Sequence, residues 1–218
     1  MHLLFATSLV PVVEPGSGYD IANRVIVDAL RMMGHRVSVL GYLQPGKMPS
    51  APDDTIVLAE LEVTNARVKK ARKAVWLATA LARGEPVSVA KMHAVSRDTV
   101  AAALTRLQPI DAVILNSVQL PGAFLDLFAS YPCLYVAHNV EGHSAAANAR
   151  EAGGALDQLL FSREARLLTQ VERSLCRQAR FVFTLAEADR EALGVADPGR
   201  SCVLPLVTSV TPPPAPAA

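Results

Sequence analysis

Short apolar runs alternate along this chain with stretches in which apolar residues return every three or four positions. The first run, Leu3 to Val10, reads as a buried strand. After the turn Pro15-Gly16-Ser17-Gly18, the residues Ala22, Val25, Ile26, Ala29, Leu30 and Met33 mark one face of an amphipathic helix, which Gly34 ends. Arg36 to Tyr42 is a second strand, so the chain opens with a βαβ unit. A Pro-rich loop, Gln44 to Asp54, leads to a third strand over Thr55 to Leu61. Helical patterns then cover about Asn65 to Ala82 and Arg97 to Leu107. Strands over Asp111 to Leu115 and Leu134 to Ala137 flank a short helix at Phe124 to Ala129. The longest helical pattern runs from Leu156 to Ala179. Phe181 to Phe183 is a strand, Thr184 to Glu187 has capping-box spacing for a helix to Leu193, and Ser201 to Leu204 is a last short strand.

Strands alternating with helices predict an α/β fold with a single doubly wound, mainly parallel, Rossmann-like sheet. No repeat and no second core breaks the pattern, so one domain is expected over 1–208. Residues 209–218, with Thr211-Pro-Pro-Pro, have the composition of a linker or mobile tail. The opening residues lack the basic flank of a signal peptide, and no apolar run approaches the ~20 residues of a membrane span.

Composition narrows the chemistry. Hydrophobic residues make up 51% of the chain and aromatics 5%, which suits an Ala/Val/Leu core and argues against disorder. A net charge of +1 gives no electrostatic case for nucleic acid. Cys133, Cys176 and Cys202 lie far apart and form neither a metal spacing nor a disulfide framework, which fits a reducing, cytoplasmic setting. No metal is expected.

Four places carry candidate chemistry. The strand ending at Ala137 stops at His138-Asn139-Val140-Glu141, where an open α/β sheet binds its ligands. His138 suits a general base or a hydrogen-bonding group, but no nucleophile or metal ligand accompanies it. Glu141 suits a hydroxyl acceptor or the orienter of His138. The loop Gly16-Ser17-Gly18 lets backbone N–H groups approach a phosphate at a helix N-terminus. It falls short of the dinucleotide fingerprint, because Ile21 stands where the third glycine belongs. Glu164 lies centrally in the stripe of Leu160, Leu167, Leu168, Val171 and Leu175, and is expected to pair with an arginine. Lys69, Lys70, Arg72 and Lys73 lie opposite a core face of Val68, Ala71, Val75, Ala78 and Ala82, with the only tryptophan, Trp76, among them. Such a face suits an anionic membrane surface.

Together these segments resemble the N-terminal, acceptor-binding half of a GT-B fold glycosyltransferase of the retaining family 4 kind. The resemblance rests on Pro15-Gly16-Ser17-Gly18, the helix end Leu30 to Val37, His138-Asn139-Val140-Glu141, Glu164 to Glu172, and Phe181 to Leu193. It implies transfer of a sugar from a nucleotide-sugar to a glycan or lipid-linked acceptor, with no further cofactor. Gly16, Ser17 and Gly18 would approach the donor phosphates, and His138, Asn139 and Glu141 would line the sugar site. It also implies a separate donor-binding domain, to which the family's E-x7-E glutamates belong; Glu164 and Glu172 share only that spacing. Without that domain the chain is expected to be inactive. A non-catalytic glycan- or partner-binding module, and a Rossmann-type nucleotide-binding protein, remain the alternatives.

Overall fold

The structure is a computed structural model that describes residues 1–63 and 67–205; the tail and the start of the second predicted helix lie outside them. The chain runs β1 (His2–Leu9), α1 (Gly18–Met32), β2 (Arg36–Leu43), β3 (Thr55–Glu60), α2 (Lys70–Arg83), α3 (Val87–Ala90) and α4 (Arg97–Arg106). It continues through β4 (Ala112–Asn116), α5 (Gln119–Ala123), α6 (Leu125–Phe128), β5 (Cys133–Ala137) and α7 (Glu141–Glu151). It closes with α8 (Ala155–Gln178), β6 (Phe181–Thr184), α9 (Glu187–Ala192) and β7 (Ser201–Val203).

The strands form one seven-stranded sheet in the order β3-β2-β1-β4-β5-β6-β7, and every pair is parallel. The chain steps outward from β1 to β3, crosses back to β4, and then steps the other way. The reversal between β1 and β4 opens a crevice at the carboxyl ends of these two strands.

Burial explains the strand sequences. Alternate residues of the central strands feed two apolar clusters, one on each face. Leu4, Ala6, Val113, Leu115, Tyr135 and Ala137 pack under the helices that follow β3. Leu3, Phe5, Val37, Val39, Ile114 and Val136 pack against Ile26 and Val27 of α1. Among the described residues α1 is the only helix contributing to the second cluster. Beside α1, Ile114, Leu134, Val136 and Phe183 therefore line an apolar hollow of about 350 Å³. Gly34, at φ 84, takes the left-handed conformation that ends α1. There the N–H of Gly34 reaches Arg31 O and that of His35 reaches Leu30 O.

The basic helix turns out rotated. Its inward residues are Trp76 and Ala80, whereas Val75, assigned to the core face, is 61% exposed and Trp76 only 7%. Tryptophan carries far more apolar surface than valine or alanine, so its burial decides which face packs inward. Lys91 Nζ sits 4.7 Å from its ring centroid. Lys69, Lys70, Arg72 and Lys73 are exposed as expected, but Trp76 is no part of their surface. Glu164 departs from expectation too. Its carboxylate accepts from the N–H groups of Val87 (2.7 Å) and Ser88 (3.1 Å) and from the Ser88 hydroxyl (3.0 Å). It caps the start of α3 instead of pairing with arginine, and Arg163 turns to the carbonyls of Ala80 and Glu85.

Candidate functional site

The crevice at the β1/β4 reversal holds a cavity of about 550 Å³, lined by Ser8, Gly18, Tyr19, Ser117, His138, Asn139 and Glu141 among others. Each polar residue arrives at the end of an element. Thr7 and Ser8 end β1, Asn116 and Ser117 end β4, and His138 and Asn139 follow β5. Tyr19 and Asn23 stand on the first turns of α1, and Glu141 begins α7. Ser117 adopts φ 65, a left-handed conformation that a non-glycine residue holds only under constraint and that concentrates at functional sites.

Beneath the cavity lies a buried polar network. The Asn116 side chain, fully buried, donates to Asn23 Oδ1 (2.8 Å) and to Thr7 Oγ1 (3.1 Å). Asn23 Nδ2 donates to the Leu9 carbonyl (3.2 Å). His138 Nε2 meets Asn116 Oδ1 at 2.9 Å. The Tyr19 ring lies 4.8 Å from the His138 ring, and its hydroxyl reaches Thr7 Oγ1 at 2.9 Å and Ser117 Oγ at 3.3 Å. Burial lowers the pKa of His138 from 6.5 to about 4, so the imidazole is neutral at neutral pH. The partner of His138 is thus Asn116, and the orienting role considered for Glu141 falls to that asparagine. Burial raises the pKa of Glu141, and a hydrogen bond from the Asn139 side chain works against it.

The glycine loop is partly self-satisfied. Ser17 Oγ accepts from the Asp20 N–H at 3.2 Å, and Asp20 Oδ2 accepts from the Gly16 N–H (3.1 Å) and the Ser17 hydroxyl (2.9 Å). This reciprocal cap occupies Gly16 and Ser17. Gly18 lines the cavity, and a Cβ there would meet nothing within 4 Å. Of the loop's three residues, Gly18 is the one the structure brings to His138, Asn139 and Glu141.

A second carboxylate supports the site from below. Glu172 of α8 is 1% exposed and accepts from the backbone N–H groups of Glu141 (2.6 Å) and Gly142 (3.3 Å). It caps the start of α7 and fixes where Glu141 stands. Burial raises its pKa from 4.5 to about 7, against the lowering by those two hydrogen bonds. The folded state therefore holds a proton that the unfolded chain has lost between these values. This group's contribution to stability thus falls as pH rises from 4.5 to about 7 and is level above. Urea denaturation of Glu172→Gln across that range should show this component of the slope removed.

Thr7, Asn23, Asn116 and Tyr19 were not singled out from sequence. Their one mark there is polarity in places that the pattern assigns to strand or inward helix positions. Among the described residues no group of three or more His, Cys, Asp or Glu side chains could hold a metal, and no helix is long and apolar enough to cross a membrane.

The sheet order, the helical layers and the crevice at the reversal define one Rossmann-like half of a GT-B glycosyltransferase fold. Among solved structures, sucrose-phosphate synthase from Thermosynechococcus elongatus superposes with a TM-score of 0.58 at 14% identity. The match covers 95% of this chain and 48% of the synthase, so the chain spans about half the length of that enzyme. A shorter solved piece of the same synthase matches with a TM-score of 0.52 and 12% identity, over 96% of this chain and 91% of the piece. No known family model matches the sequence, and no curated protein does.

Proposed function

We propose that this chain is the acceptor-side domain of a glycosyltransferase that moves a sugar from a nucleotide-sugar to a glycan or lipid-linked acceptor. The observation that carries the reading is the 550 Å³ cavity at the strand-order reversal, where His138, Asn139, Glu141, Ser117 and Gly18 converge. A sugar needs such a site: a concave wall with several directed donors and acceptors and some apolar surface, here Leu9, Ala22 and Leu185. In the transfer, the bond from the anomeric carbon to the diphosphate breaks, one to the acceptor oxygen forms, and the acceptor's hydroxyl proton passes to the departing diphosphate. His138 and Asn139 hold sugar hydroxyls, and Gly18 leaves room for the diphosphate against the start of α1. A separate donor-binding domain supplies the opposite wall and most nucleotide contacts, in the manner of a retaining family 4 enzyme. The exposed Lys69, Lys70, Arg72 and Lys73 give the domain a basic end suited to an anionic membrane face, where a lipid-linked acceptor would lie.

Two measurements test the reading. Calorimetric titration of the chain with NAD(P), UDP-sugars and GDP-sugars should show at most weak binding; tight dinucleotide binding would replace the proposal with a Rossmann nucleotide-binding role. Radiolabelled sugar transfer should require added donor-binding domain, and His138→Ala should lower it by about 10²-fold. Transfer that needs neither His138 nor a second domain would overturn the proposal.

A further inference from the structure

We infer that Asn23 and Asn116 set the tautomer of His138, so that Nε2 carries the hydrogen and Nδ1 presents a bare lone pair to the cavity. The Leu9 carbonyl is an acceptor, so the Asn23 side-chain atom 3.2 Å from it is the amide nitrogen. Asn23 Oδ1 then faces Asn116 and accepts, so the Asn116 atom at 2.8 Å is also an amide nitrogen. That leaves Asn116 Oδ1 toward the imidazole, and the ring nitrogen 2.9 Å from it, Nε2, must donate. Turning either amide over would set oxygen against oxygen or nitrogen against nitrogen in a network whose asparagines are at most 1% exposed.

The other ring nitrogen is thereby fixed as an acceptor. No described residue bonds to Nδ1, and no buried side-chain nitrogen or oxygen lacks a partner, so Nδ1 opens to the cavity that His138 lines. With the ring's pKa held down at about 4, the imidazole is neutral at neutral pH and carries a single hydrogen, the one on Nε2. Resting on the reading above, His138 selects a ligand hydroxyl that donates and rejects a fluoro or keto group in the same place. Asn23 and Asn116 are positioning residues. They touch no ligand and act through the ring.

The test is spectroscopic and needs no nucleotide-sugar, so a failed transferase assay leaves it intact. The full chain is labelled with 15N in its five histidines, and His138 is assigned by its absence in His138→Gln. Long-range 1H–15N spectra at neutral pH should show the Nε2–H pattern. Asn116→Asp, still an acceptor, should keep that pattern and raise the ring's pKa, because a carboxylate favours imidazolium. Asn23→Ala frees the Asn116 amide to turn, and both tautomers should appear at His138. A purely packing role for Asn23 would leave the pattern unmoved. An Nδ1–H pattern in the wild type overturns the inference, as does an unchanged pattern in folded Asn23→Ala. Should Asn23→Ala fail to fold, the wild type and Asn116→Asp decide, and loss of Nε2–H in the latter counts against it.

Discussion

Gly41→Ala is expected to cost about 3 kcal/mol of stability, read as a lower urea midpoint with an unchanged slope. Gly41 lies in β2, where the chain passes close over the end of β1. A Cβ at this position would stand 2.3 Å from the Thr7 carbonyl oxygen and 3.2 Å from Val10 Cγ1. The first obstacle is backbone, so no rotamer change relieves it. β1 is irregular here: its register on β2 shifts between Ala6 and Leu9, the stretch that holds Thr7, fully buried, and Ser8, which lines the cavity. Forcing the two strands apart should therefore disturb the Thr7 contacts with Tyr19 and Asn116 as well as the sheet. Gly153→Ala is the matching control. Its Cβ meets nothing within 4 Å, and its effect should stay within about 0.5 kcal/mol. Equal losses in the two variants would show that the close approach at Gly41 is not what the glycine serves.

The strand pattern and the crossover at the glycine turn were readable from apolar periodicity alone, because strands buried on both faces leave continuous apolar runs. α7 was not readable. Its buried residues are Gly142, Ala145 and Ala149, too small to mark a hydrophobic stripe, yet small enough for α7 to lie closely on α8. A Cβ at Gly142 would meet Thr169 Oγ1 at 2.4 Å. The rotation of α2 was missed for the opposite reason: one large residue, Trp76, outweighed a face of valine and alanines. His138, Asn139 and Glu141 could be proposed because they cluster in sequence beyond a strand end. Asn23 and Asn116 stand 93 positions apart, and only the folded sheet brings them together under His138. Glu172 stood out in the sequence only through its E-x7-E spacing from Glu164, and its task as the cap of another helix needs the packing of α8 on α7.

Asn116→Leu should do the most damage at the site. Leucine is close in size, so the cavity is little changed, and the loss is polar. The Asn116 side chain satisfies Asn23 Oδ1, Thr7 Oγ1 and His138 Nε2 in a region it shares with two other nearly inaccessible residues, Thr7 at 0% and Asn23 at 1%. Removing it leaves the Asn23 acceptor and the His138 donor without their partners. At about 1–3 kcal/mol for each of these two orphaned buried groups, the expected cost is about 2–6 kcal/mol. Thr7 retains Tyr19 and Asn23 as partners and adds little. The variant's urea midpoint measures the total. A double-mutant cycle with Asn23→Leu separates the network from packing, since the second substitution also removes the acceptor that the first one strands. The pair should therefore cost clearly less than the sum of the singles. Strict additivity would mean that the two asparagines are held independently, and that the amide-to-amide bond beneath His138 contributes nothing of its own.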